Sequence, residues 1–190
     1  LEVEAGIGPD ALRLRFSNPG AAGAVFHVYD RQRLDAVPLR YTVEAGKTLE
    51  ATFASAADAR HDLWILGPNG FHRSLRDRAR AGAAQITLAA KAAEASVELT
   101  LSNPGAEPVR FRVSSPAYGD AMPTWEVKVA AGVEVTRAWP LGQTGGWYDL
   151  AVENRDDPAV SRRFAGRVET GKPSISDPAM SGPALMSWTA

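Results

Sequence analysis

Apolar and polar residues alternate along most of this chain. Leu12-Arg13-Leu14-Arg15-Phe16 and Val97-Glu98-Leu99-Thr100-Leu101 are the clearest cases. A period of two sends successive side chains to opposite faces, so each run predicts a strand with one buried face. In the first half the runs are Leu1–Ile7, Leu12–Phe16, Ala24–Tyr29, Leu39–Val43, Thr48–Phe53, Asp62–Leu66 and Phe71–Leu75. In the second they are Gln85–Ala89, Ser96–Leu101, Val109–Val113, Trp125–Val129, Glu134–Ala138, Tyr148–Val152 and Ser161–Ala165. Short runs at this spacing, separated by Gly, Pro, Asn and Asp, predict antiparallel sandwiches.

The two sets of runs are copies. Phe16-Ser17-Asn18-Pro19-Gly20 returns as Leu101-Ser102-Asn103-Pro104-Gly105, an offset of 85 (102 − 17). The offset grows to 89 where Phe71–Leu75 matches Val160–Phe164 (160 − 71), as loop insertions in a duplicated unit would make it. The expected fold is therefore all-β: two tandem immunoglobulin/fibronectin-III-like antiparallel sandwiches of about seven strands each. The expected domains are 1–83 and 84–171, with an extended C-terminal tail over 172–190. Ala79–Ala84 reads as the linker.

Turn chemistry supports this punctuation. Asn-Pro-Gly ends a strand, because Pro has no N–H for a ladder and Gly tolerates positive φ. Ala45-Gly46 and Ala131-Gly132 mark tight reversals, and Gly67-Pro68-Asn69-Gly70 a hairpin matched by 154–158. Ala54–Arg60 has room for one helical turn, whereas Pro140–Gly145 is read as non-helical.

Composition narrows the function classes. The 190 residues carry a net charge of −1, which argues against a nucleic-acid partner. Cysteine is absent, so disulfides, thiolate metal sites and Cys nucleophiles are excluded. No apolar run approaches the ~20 residues of a membrane-spanning helix. The chain opens at Leu1 inside an alternating stretch and is read as a piece of something longer, with any export signal upstream.

Candidate chemistry is sparse. The histidines are His27, His61 and His72. A triad around His61 and Asp62 is conceivable, but no G-x-S-x-G elbow is present. No metal-binding motif or phosphate loop occurs, and no cofactor is expected. Asn154, Asp156 and Asp157 read as a hairpin tip before they read as a calcium loop. Asp62 and Asp149 hold equivalent places in the two repeats, which suggests a shared structural task such as bonding a loop amide.

Two groups of residues remain. Trp64, Trp125, Trp139, Trp147 and Trp188 serve either a core or, if exposed, a lipid- or sugar-binding face. Trp147 and Tyr148 are strand neighbours, so one of them leaves the core. Arg162, Arg163 and Arg167, with Arg73, Arg76, Arg78 and Arg80, give each half a cationic last strand. That charge either attracts anionic headgroups or a partner, or guards an exposed edge. Trp125, Trp147, Arg162, Arg163 and Arg167 are the candidate lipid or partner contacts.

The stretch Gly145–Met180 adds a family. Its Trp-Tyr-Asp-Leu strand, its Ser-Arg-Arg-Phe-Ala-Gly-Arg-Val-Glu-Thr-Gly block and its Ser-Asp-Pro-Ala-Met tail resemble the C-terminal end of bacterial phosphocholine-specific phospholipases C, non-haemolytic and haemolytic. The tandem duplication and the two Ser-Asn-Pro-Gly turns resemble that family's paired C-terminal domains as well. The resemblance implies a parent hydrolase that is exported and splits phosphatidylcholine into diacylglycerol and phosphocholine. It implies that catalysis belongs to a separate N-terminal domain similar to phosphatases, so no catalytic or metal position carries over. The expected role is accessory: positioning the catalytic domain, at a lipid surface or beside a secretion partner. A purely structural module and a carbohydrate-binding sandwich are the alternatives.

Overall fold

The computed structural model describes residues 1–56, 58–171, 173 and 175–181. Among them fourteen strands follow the alternating runs. The first half holds β1 (Glu2–Ile7), β2 (Ala11–Asn18), β3 (Ala24–Asp30), β4 (Leu39–Val43), β5 (Lys47–Ala54), β6 (Arg60–Leu66) and β7 (His72–Arg78). The second holds β8 (Gln85–Lys91), β9 (Ser96–Ser102), β10 (Val109–Ser114), β11 (Trp125–Val129), β12 (Glu134–Pro140), β13 (Trp147–Asn154) and β14 (Ser161–Arg167). All pairings are antiparallel.

Each half sets three strands against four. In the first, β1-β2-β5 faces β7-β6-β3-β4; in the second, β12-β9-β8 faces β11-β10-β13-β14. Alternation supplies the facing surfaces. Leu12, Leu14 and Phe16 of β2 are fully buried against Phe26 of β3 and Ile65 of β6, while Arg13 and Arg15 point to solvent. Val97, Leu99 and Leu101 of β9 repeat this against Phe111 and Leu150. The two cores are separate clusters. The four-stranded sheets are not separate. β7 pairs with β14, which fuses them into one eight-stranded sheet.

The repeated Asn-Pro-Gly turn carries the chain from one sheet to the other, and its asparagine is the structural reason for the repeat. Asn18 is buried; its Nδ2 donates to Ala22 O and Val43 O, at 2.8 and 3.0 Å, and its Oδ1 accepts from Gly20 N–H. Asn103 does the same with Glu107 O, Val129 O and Gly105 N–H. The main-chain carbonyls of Asn18 and Asn103 accept from Gly46 and Gly132. Those two glycines have φ of 68° and 69°, where a side chain is disfavoured. One residue type thus satisfies the exposed ends of three segments that no ladder can reach.

The connections between strands differ in kind. The tight reversals at Ala45-Gly46 and Ala131-Gly132 join β4 to β5 and β11 to β12, and each carries the chain from one sheet to the other. Pro140–Gly145 does contain a 3-10 turn, Gly142–Thr144. It closes through Thr144 N–H to Leu141 O at 3.2 Å, while Thr144 Oγ1 donates to Trp147 O at 2.6 Å and Gly145 takes a left-handed conformation. Ala54–Arg60, of which residue 57 lies outside the described residues, holds one short turn, with Ala59 N–H donating to Ala56 O at 3.0 Å. The linker Ala79–Ala84 is packed rather than slack: Ala79, Ala83 and Ala84 are buried, and Ala79 exchanges hydrogen bonds with Asp58 and Ala59. Of the expected tail, 172, 174 and 182–190, with Trp188, lie outside the described residues.

Candidate functional site

The arginines of the two last strands meet at the seam. The reading of an edge protected by charge is corrected here, since β7 and β14 lie in the middle of the fused sheet. Arg73 and Arg162 are equivalent residues, 89 apart (162 − 73), and each reaches across the pairing. Arg73 donates to His72 O on its own strand and Ala165 O on the other, both at 2.9 Å. Arg162 donates to Ser161 O on its own strand and Arg76 O on the other, at 3.0 and 2.9 Å. The duplicated strands are thereby clasped around a pseudo-two-fold axis.

The remaining donors break the symmetry. Arg162 meets Asp77 at 2.7 Å, with side chains 5% and 1% exposed. Arg73 instead donates to Tyr148 Oη at 2.9 Å and lies over the Phe71 ring at 4.0 Å. The place of Asp77 on β7 is taken on β14 by Gly166, whose φ is 151° and where a Cβ would come within 3.2 Å of Tyr148 Oη. Removing the side chain there makes room for the tyrosine that serves Arg73. Asp157 adds a third clasp, accepting from Arg78 through both oxygens at 2.9 Å and from Arg80 at 3.1 Å. Burial pushes its carboxyl up, but Arg78, the Ala159 N–H and Arg80 outweigh it and hold it below the ordinary carboxylate value.

The expected contact residues therefore sit as follows. Arg162 is inside the seam. Arg163 grips Asp149 with two 2.8 Å bonds. Arg167 pairs with Glu169. Trp125 is half-buried, edge-on to Trp139 at a centroid distance of 6.0 Å, with Arg137 over both rings. Trp147 leaves the core while Tyr148 enters it, and Trp147 Nε1 donates to Ile175 O at 3.1 Å. Trp139 is buried, and Trp64, Trp125 and Trp147 are half-buried. Asp77 is not singled out in the sequence, and Tyr148 and Asp157 are read there for other roles; the signal available for the seam is the shared offset of Arg73 and Arg162.

Among the described residues the conceivable triad around His61 and Asp62 is not formed. Ser55 Oγ and His61 Nε2 are 2.8 Å apart. Asp62, the carboxylate beside them in sequence, binds Arg31 and Arg76 instead, so it does not orient the imidazole. The shared task of Asp62 and Asp149 is thus to hold an arginine, not a loop amide, because each faces a guanidinium from a neighbouring strand. Asp156 is taken by Arg110 and Asp157 by Arg78 and Arg80, and Asn154 Oδ1 accepts two main-chain N–H groups. No cluster of three or more metal-ligating residues occurs among the described residues.

Burial lowers the pKa of both His61 and His72; near His72, Arg163 and Arg73 add to the effect. The neutral imidazole is thus favoured in the folded state, and the unfolded chain binds more protons below the ordinary value of 6.5. The resulting stability is present above that value and is lost as pH falls toward the folded pKa. Denaturation midpoints measured from pH 8 to pH 5 are expected to fall across that window, and His72→Gln to flatten the slope.

The comparisons with known proteins fit a duplicated unit. The model of a family described as bacterial phospholipase C, C-terminal domain, matches twice, at residues 1–77 and 81–167. A non-hemolytic phospholipase C of Burkholderia pseudomallei is 39% identical, over 87% of this chain and 24% of its own length. A non-hemolytic phospholipase C of Pseudomonas aeruginosa is 34% identical, over 91% and 26%. The same organism's hemolytic phospholipase C is 31% identical, over 94% and 27%. The chain spans about a quarter of the length of these relatives. With one sandwich unit present twice and the family pattern falling once on each copy, the chain belongs to the bacterial phospholipase C C-terminal domain family.

Proposed function

We propose that this chain is the non-catalytic accessory region of a secreted phosphocholine-specific phospholipase C, and that it positions the catalytic part of that enzyme at a lipid surface. The observation that carries the reading is the seam. Its arginines are held by carboxylates, carbonyls and a tyrosine, which suits a rigid spacer more than a reactive site. The two cores and the strand orders β1-β2-β5 and β4-β3-β6-β7 support domains at 1–83 and 84–171 of the immunoglobulin/fibronectin-III-like kind. Export follows the family, and the parent's hydrolysis of phosphatidylcholine to diacylglycerol and phosphocholine belongs to the catalytic domain, the chain's first partner.

The purified chain is expected to release no phosphocholine from phosphatidylcholine vesicles but to sediment with them. Phosphocholine release would defeat the accessory reading, and failure to sediment would remove the lipid surface from it. A purely structural role is the second reading, favoured by the absence of an exposed indole among the described tryptophans. Acrylamide quenching separates the two: shielding unchanged by vesicles fits the structural role. The same absence weighs against the carbohydrate-binding alternative, which calls for a row of exposed rings.

A further inference from the structure

The β3–β4 connection, residues 31–38, leaves apolar side chains in water. Leu34 is 57% exposed, Val37 82% and the adjoining Leu39 49%. Single exposed apolar residues are ordinary, but three within six positions on one connection form a patch. The duplication provides an internal control. At the offset of 85 that separates the two Asn-Pro-Gly turns, Val37-Pro38 stands against Met122-Pro123. Met122 is 1% exposed and belongs to the core of its own half. The β10–β11 connection turns it inward, through Met122 N–H to Tyr118 O and Tyr118 N–H to Ser115 Oγ. The fold therefore does not require this connection to expose apolar residues; the first repeat does so and the second does not.

The exposing loop is also braced. Arg31 N–H donates to Asp62 O, Gln32 N–H to Asp30 Oδ1, Ala36 N–H to Arg33 O, and Gln32 Nε2 to Arg60 O, all between 2.8 and 3.0 Å. Leu34 and Val37 are thus presented by a fixed turn. Beneath it lies a hollow of ≈ 290 Å³, reaching Val28, Phe53 and Leu63 on the core side. Arg33 and Arg60 line it and Arg40 follows Leu39 on β4; all three are exposed, and Arg40 and Arg60 make no ion pair among the described residues. Their aliphatic stems can lie along an apolar phase while the guanidinium stays in water.

We infer that the β3–β4 turn is the chain's lipid-surface contact, with Leu34, Val37 and Leu39 entering the headgroup–acyl boundary of a phosphatidylcholine bilayer and Arg33, Arg40 and Arg60 remaining at headgroup level. This inference rests on the lipid-surface reading above and names the element that carries it. A bilayer fits better than a protein partner because three apolar side chains on one eight-residue connection fall short of the roughly 800 Å² per side of a stable protein interface. A bilayer needs only a few inserted side chains and no complementary pocket. Asp30, Asp35 and Asp62 leave Arg31, Arg33, Arg40 and Arg60 a local excess of one positive charge (4 − 3), and phosphatidylcholine is zwitterionic. Apolar insertion rather than headgroup charge then supplies the binding, which is expected to change little with salt.

The test is co-sedimentation of the full 190-residue chain with phosphatidylcholine vesicles, comparing it with Leu34→Asp/Val37→Asp. The substituted side chains are exposed, so thermal unfolding of the variant is expected to match that of the parent chain. Each inserted side chain is worth about tenfold in partition, so the double variant is expected to bind about 100-fold more weakly. Val133→Asp, at an apolar residue 42% exposed in the other half, is expected to bind as the parent does. Equal binding by the double variant would overturn this inference while leaving the lipid-surface reading standing. No binding by the parent chain would overturn both. If the double variant keeps its vesicle binding and loses co-purification with the catalytic part of the enzyme, the patch is a protein contact and the inference fails.

Discussion

Asp77→Ala is expected to cost about 3–5 kcal/mol, because it leaves the Arg162 guanidinium buried with no counter-charge. Only two carbonyl oxygens, Arg76 O and Ser161 O, remain to it. Both side chains are almost wholly enclosed, so solvent screens the remaining charge little. Calorimetry is expected to show the midpoint lowered by on the order of 10 °C. Because the pair bridges β7 and β14, the halves are also expected to unfold in two resolved steps rather than one. Replacing both partners, Asp77→Leu with Arg162→Met, is expected to recover most of the loss, since an apolar pair of similar volume carries no desolvation cost. An Asp77→Ala chain with an unchanged midpoint would show that the seam does not depend on this pair.

The second large effect is expected at the repeated turn. Asn103→Ala removes two donors from the carbonyls of Glu107 and Val129 and the acceptor of Gly105 N–H. Unsatisfied buried polar groups cost about 1–3 kcal/mol each, and water reaches the loop side of this site, so a net loss of about 2–4 kcal/mol is expected. Asn18→Ala breaks the equivalent set in the first half and is expected to match it. Asn103→Asp distinguishes hydrogen bonding from packing. It keeps the shape and the acceptor but points an anion at two carbonyls, so it is expected to be at least as damaging as alanine. Denaturant midpoints with unchanged m-values would check all three. Similar stability for Asn103→Ala and the parent chain would sink the reading of Asn103 as a satisfier of buried ends.

Much of the fold was legible in the sequence because its signals are local. A period-two pattern assigns each residue a face, and Leu12, Leu14 and Phe16 are inside for that reason. Positive φ demands Gly at 46 and 132, and Asn-Pro-Gly stops a strand. The duplication was visible as residue identity at a slowly growing offset. The face of Trp147 relative to Tyr148 was bounded by alternation alone, though which of the two faced inward was not.

The rest was decided by contacts between residues far apart in the chain. The seven arginines of the two last strands read as charge on edges, because nothing local tells a strand which neighbour it will have. The pairing of β7 with β14 turned Arg73 and Arg162 into buried clasps and gave Asp77, Tyr148 and Asp157 their roles. Val37 and Met122 make the same point in one pair of equivalent positions. Both are apolar residues before a proline, and the turn around each alone sends one to solvent and the other to the core. Sequence periodicity determined the strands and their buried faces, since those depend on backbone geometry at neighbouring residues. Strand order across the seam, the partners of the buried charges and the exposed turn of the first repeat came from the tertiary structure, because they depend on which distant surfaces exclude water together.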